Sequence, residues 1–140
     1  MPNKNIKLPI TPDERDSLRR AKLKAVELAF LTAKALAERA GIPVKRGEYL
    51  VAIAQFQHLG SVGPASAQDL WDLGYKSVSQ LASQDPFAMY QKLQIIHRRK
   101  MDPCVEDVFR CAVAQATYPD LPEEKKLWWN WGADRGKSRV

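Results

Sequence analysis

Proline and glycine stand in this chain where helices begin and end, and that punctuation constrains the fold more than any other feature. Thr11-Pro12-Asp13-Glu14 places a hydroxyl at a helix N-cap, proline in the first turn and glutamate three residues after the cap, the sequence form of a reciprocal capping box. Gly63-Pro64, Asp85-Pro86 and Asp102-Pro103 are further start signals, whereas Gly41 with Pro43, Gly60 and Gly74 are stops. Between them apolar residues recur at helical spacing, as in Leu50, Ile53 and Phe56 or Val105, Val108, Phe109 and Val113. No segment alternates apolar and polar residues as a strand would. The chain is therefore expected to be all-α.

With 140 residues, 45% of them hydrophobic, there is material for one sizeable core and not for two. The stretch from Thr11 to Ala40 lacks glycine and has no proline beyond Pro12, so it reads as a single amphipathic helix of about 28 residues. Its second half, with Val26, Leu28, Phe30, Ala33, Leu36, Ala37 and Ala40, is apolar around much of its circumference and is expected to be buried. This divides the chain into a basic N-terminal extension with a long helix (1–46), a compact helical domain (47–131) and a polar tail expected to be disordered (132–140). Trp128, Trp129 and Trp131 are expected to lock the end of the domain onto its core. Ser77 is expected to cap a short helix carrying Val78 and Leu81. Cys104 and Cys111, seven apart on one helix, would sit about 10 Å apart, too far for a disulfide, and read as buried packing.

The formal charge of +6 is unevenly placed. Residues 1–46 hold eleven Lys or Arg against five Asp or Glu, while residues 47–140 hold eleven of each. Arg15, Arg19 and Lys22 project from one helix face, a spacing suited to tracking phosphates. His97-Arg98-Arg99-Lys100 is a second basic cluster, at a helix C-terminus where the dipole also favours cations. His58 and His97 are the only histidines, and neither belongs to a recognisable catalytic motif. Asp69 and Asp72 read as exposed surface carboxylates. Neither a cofactor motif nor a metal-ligand set is legible, and the expectation is a non-enzymatic protein. The start has no apolar leader core, and no stretch approaches the roughly 20 apolar residues of a membrane helix. A cytoplasmic protein without membrane contact is expected.

The most specific local pattern is Leu59-Gly-Ser-Val-Gly-Pro-Ala-Ser-Ala67 between two short amphipathic helices. Backbone N–H groups of Gly60, Ser61, Val62, Gly63, Ala65 and Ser66, at a tight turn feeding a helix N-terminus, would form a phosphate cradle. Gly63 is expected to need a conformation that a β-branched side chain resists. The stretch resembles the helix-hairpin-helix motif, with Val62, Gly63 and Ala67 on its pattern. It departs from that pattern in carrying Gly60 for the usual proline, Ser61 for the first glycine and Ala65 where lysine is common.

The resemblance extends through Leu70-Trp-Asp-Leu-Gly-Tyr75, Asp85-Pro86, Asp102-Pro-Cys-Val105, the Cys104 to Cys111 helix and Trp128-Trp-Asn-Trp131. Together these are similar to the pathogenicity-locus helix-hairpin-helix family of small bacterial proteins, some labelled mitomycin-resistance proteins. That family implies a SAM-like helical fold and DNA association without established catalytic residues. The expected function is thus sequence-tolerant binding of nucleic acid, DNA foremost, through backbone phosphates. The alternative is a protein-interaction module or homodimer that uses the apolar N-terminal helix.

Overall fold

The computed structural model describes residues 5–138 and 140; residues 1–4 and 139, which fall in the expected extension and tail, lie outside the described residues. Six α-helices carry the fold: α1 (Pro12–Arg20), α2 (Ala33–Ala40), α3 (Val44–Gln57), α4 (Pro64–Asp72), α5 (Pro86–His97) and α6 (Cys104–Thr117). Short 3-10 helices at Ala25–Phe30, Val78–Leu81, Glu123–Lys126 and Trp128–Asp134 complete it, and there is no strand among the described residues. The capping box at α1 forms: the Thr11 hydroxyl accepts from the Glu14 N–H at 3.1 Å and the Glu14 carboxylate from the Thr11 N–H at 2.9 Å. Asp85 accepts from the N–H groups of Phe87 and Ala88 to start α5. Ser77 precedes its 3-10 helix without a side-chain cap bond.

The expected 28-residue helix is instead three pieces. Lys22 adopts φ 57, and the Leu23 and Lys22 N–H groups bond back to the carbonyls of Leu18 and Arg19, which closes α1 with a Schellman turn. Leu18 and Leu23 then pack in one cluster. Thr32, read from sequence as part of an apolar stripe, is the N-cap of α2, its hydroxyl accepting from Ala35 N–H at 3.0 Å. Burial explains the breaks: a straight helix could not return Leu23, Leu28 and Leu36 to one side of α3, and the two turns do. Phe30, expected inside, is 80% exposed and lies edge-on to His58.

α3 is the central element. Leu50, Val51 and Ala54 face an N-terminal cluster with Leu18, Leu28 and Leu36, while Ala52, Ile53 and Phe56 face the main core of Val62, Leu70, Leu81, Leu93 and Phe109. A boundary at 46/47 therefore cuts α3 itself, and residues 5–46 pack as part of one body. Each fully buried leucine of that N-terminal cluster contributes about 1.5–3 kcal/mol of burial.

The tail expected to be disordered is docked on α6. Arg110, Glu106 and Asp107 are buried there. Arg110 bonds Glu106 at 2.7–2.8 Å and the Lys137 carbonyl, Arg135 forks onto Asp107 at 2.7 and 3.0 Å, and Gly136 N–H donates to Glu106. Charges buried in this way need such partners, and the tail supplies them. Trp131 packs against Cys111 and Ala114 as expected of the tryptophan run, whereas Trp129 is 58% exposed. Both cysteines are free. No described helix is long and apolar enough to cross a membrane.

Candidate nucleic-acid interface

The turn between α3 and α4 has one closed side and one open side. On the closed side, a Cβ at Gly60 would stand 2.9 Å from Lys126 Cβ and 3.0 Å from the Lys126 carbonyl. Gly60 N–H donates to the Gln115 side chain at 2.7 Å, and Gln115 donates back to the Gly60 carbonyl at 2.9 Å. The Ser61 hydroxyl donates to the Lys126 carbonyl at 2.6 Å and accepts from Trp128 N–H at 3.0 Å. The departures from the motif thus have a physical reason: Gly60 makes room for the C-terminal segment, and Ser61 holds it. Ser61 does so at φ 68, a left-handed conformation that costs a non-glycine residue energy. Gly63, expected to need an unusual conformation, has φ −94 and ψ −172, with open space where a Cβ would go. The strained residue is Ser61, and the residue that must lack a side chain is Gly60.

On the open side, the N–H groups of Gly63, Ala65 and Ser66 have no acceptor among the described residues, and Pro64 and Ala65 are exposed. Of the expected cradle, Gly60 N–H is engaged with Gln115 and Val62 N–H with the Leu59 carbonyl at 3.3 Å. Free amides at a helix N-terminus, reinforced by its dipole, are a site for an anion.

Beside them runs the segment before α1. Gln57, buried on α3, clamps Lys7 through its backbone N–H at 3.0 Å and carbonyl at 2.7 Å. Lys7, Pro9, Ile53, Pro64 and Gln68 line a depression of about 190 Å³. Leu8 lines that depression and also a neighbouring one of about 220 Å³, flanked by Arg15 and Arg19. One strip therefore joins the open end of α4 to two of the three predicted arm residues, with exposed Lys7 between them. Lys7 was missed in the sequence because only the clamp by Gln57, 50 residues away, brings it to the turn. Lys22 is exposed beyond the end of α1, and its backbone closes that helix.

The second basic cluster lies elsewhere. Arg98, at φ 53, ends α5 in the same type of turn as Lys22. Arg99 and Lys100 flank a depression of about 690 Å³ with Tyr90, Ile95 and Met101, which shares no lining residue with the other two. His97 Nε2 stands 3.0 Å from Asp72 Oδ2, Gln68 donates to the other Asp72 oxygen at 2.9 Å, and Tyr49 donates its hydroxyl to Gln68. Partial burial pushes the Asp69 carboxyl above its ordinary pKa; His97 pulls it back and Asp72 adds to the rise.

Residues 50–137 match the model of a family described as Cdd1, pathogenicity locus. A mitomycin resistance protein of Streptomyces lavendulae, McrB, is 30% identical over 77 residues, covering 55% of this chain and 70% of that protein. No solved structure matches the chain.

Proposed function

The chain belongs to the Cdd1 pathogenicity-locus family, and from that premise and the geometry of the turn we propose that it binds nucleic acid, DNA foremost, through backbone phosphates and without an enzymatic step. In this reading α3, the turn and α4 form a helix-hairpin-helix unit of SAM-like type. The carrying observation is the strip that starts at Pro64, in the turn that bears the free amides of Gly63, Ala65 and Ser66, and runs past Lys7 to Arg15 and Arg19. Amides position a phosphate without reading sequence, and the three cations supply long-range attraction that residues 47–140, with eleven basic and eleven acidic side chains, lack. Lys7 takes over the charge that Ala65 does not carry.

The interaction-module reading needs a free apolar helix. Leu28 and Leu36 are fully buried in the protein's own core, which leaves Phe30 as the exposed remnant of that surface.

The test is fluorescence anisotropy of a labelled duplex between 50 and 200 mM salt. Affinity should fall steeply with salt, and Arg15→Glu with Arg19→Glu should weaken binding and flatten the log–log slope by about two, one per lost contact. Ala65→Glu places a carboxylate in the first turn of α4, where the dipole favours it; it should keep the fold and still weaken binding. Salt-independent affinity, or unchanged binding in both variants with helicity intact, would overturn the proposal.

A further inference from the structure

Two of the carboxylates read from sequence as surface residues meet His97 in the folded chain. Asp69 and Asp72 lie on α4, and His97 closes α5. One ligand atom from each, two carboxylate oxygens and an imidazole nitrogen, lie within 4.8 Å of one another, the only such trio of His, Cys, Asp or Glu among the described residues. We propose that Asp69, Asp72 and His97 bind a divalent transition-metal ion that bridges α4 and α5.

Geometry, partners and donor chemistry each support this. Bonds of about 2.0–2.2 Å in tetrahedral geometry put ligand atoms of one ion about 3.4 Å apart, so the trio, within 4.8 Å, closes on an ion by about 1 Å, within reach of side-chain rotation. Both supporting elements are regular helices, and Gln68 holds one Asp72 oxygen at 2.9 Å, which orients that carboxylate as the outer partners of metal ligands do. The Asp69 carboxylate, half-buried and open to solvent, makes no hydrogen bond or salt bridge among the described residues, with His97 and Arg99 as the cations that act on it, so its oxygens are available to a ligand. An ion shared with Asp72 and His97 would give it a partner and offset the repulsion between the two neighbouring carboxylates. The Nε2 atom that now meets Asp72 at 3.0 Å would give its lone pair to the metal. One imidazole nitrogen with two carboxylate oxygens suits zinc, cobalt or manganese, whereas magnesium and calcium prefer oxygen alone. Three protein ligands leave at least one position for water or an anion. The site stands independently of the nucleic-acid reading.

The experiment titrates the full chain, freed of metal and without nucleic acid, with Zn²⁺, Co²⁺ and Mg²⁺ by calorimetry, and follows Co²⁺ by its visible absorption. The proposal expects one Zn²⁺ or Co²⁺ per chain, weaker Mg²⁺, and an affinity at least tenfold lower in both Asp69→Asn and His97→Gln. His58→Gln, which alters the histidine bonded to the Val26 carbonyl, and Cys104→Ser should leave the affinity unchanged. Asp69→Asn keeps the side-chain shape and removes an unpartnered charge, so the fold should persist; circular dichroism verifies it. Absence of one-to-one binding in the wild type would overturn the proposal, as would unchanged affinity in Asp69→Asn and His97→Gln or loss of binding in Cys104→Ser.

Discussion

Ser61 offers the most discriminating test of the turn, because two opposed effects meet at one side chain. Its hydroxyl donates to the Lys126 carbonyl and accepts from Trp128 N–H, and each bond contributes about 0.5–1.5 kcal/mol. Its backbone sits at φ 68, which costs a residue with a Cβ about 1–2 kcal/mol. Ser61→Ala removes both bonds and keeps the strain, so it should destabilise by about 1–3 kcal/mol. Ser61→Gly removes the same bonds but relieves most of the strain, and should be about 1 kcal/mol more stable than the alanine variant. In a helix interior that order is reversed, alanine being better by about 1 kcal/mol. For a chain of this size 1 kcal/mol shifts Tm by roughly 3–5 °C, so thermal unfolding by circular dichroism resolves the difference. An alanine variant as stable as the glycine variant would refute the left-handed placement of Ser61. Two variants both indistinguishable from wild type would refute the clasp on Lys126 and Trp128.

The two neighbouring glycines should respond in opposite ways. Gly60→Ala drives a Cβ into the Lys126 backbone and should cost about 1–3 kcal/mol in urea unfolding, whereas Gly63→Val, at an ordinary φ with open space, should cost no more than about 1 kcal/mol, the loss of glycine at the N-cap of α4. Glu14 tests the electrostatics at acid pH. Its hydrogen bonds to the Arg46 guanidinium, at 2.8 and 3.0 Å, hold its pKa below the ordinary value, with the Thr11 N–H acting in the same direction against partial burial. A depressed folded pKa gives stability that is present above the unfolded value, about 4.3, and lost as pH falls through the folded value. Glu14→Gln should therefore destabilise at pH 7, and its deficit should shrink below about pH 4; a deficit that does not change with pH would refute this assignment.

Much of the helical punctuation was legible. The capping box at Thr11, the Asp85 cap and the stops at Gly41 and Gly74 are short-range devices whose partners lie within a turn of the residue that signals them. Three helix ends use the same left-handed turn, at Lys22, Gly74 and Arg98. Only Gly74 announces itself, since a glycine in that conformation is unstrained and a lysine or arginine adopts it only where the burial of neighbours requires it. The misplaced long helix follows from this: between Thr11 and Ala40 no residue names the stop at Lys22, and Thr32 has as good a place in a helix stripe as at a cap. The tail was misread because its polar composition conceals Arg135 and Gly136, whose value depends on Asp107 and Glu106 being buried.

What this sequence determines by itself is therefore its class and its local vocabulary: helices, their caps, the Gly60 to Ala67 turn and the family to which residues 50–137 belong. Tertiary structure alone decides which groups on that turn remain available. Gln115 and Lys126 close one side from more than 50 residues away, Gln57 carries Lys7 to the other, and Asp72 meets His97 across two helices. Helix signals act through backbone neighbours three or four residues apart, and so they survive in a linear pattern. A site made of free amides, cations and paired carboxylates depends on which surfaces the core brings together, and that is settled only when Leu28 and Leu36 pack on one face of α3 and Phe56 and Phe109 on the other.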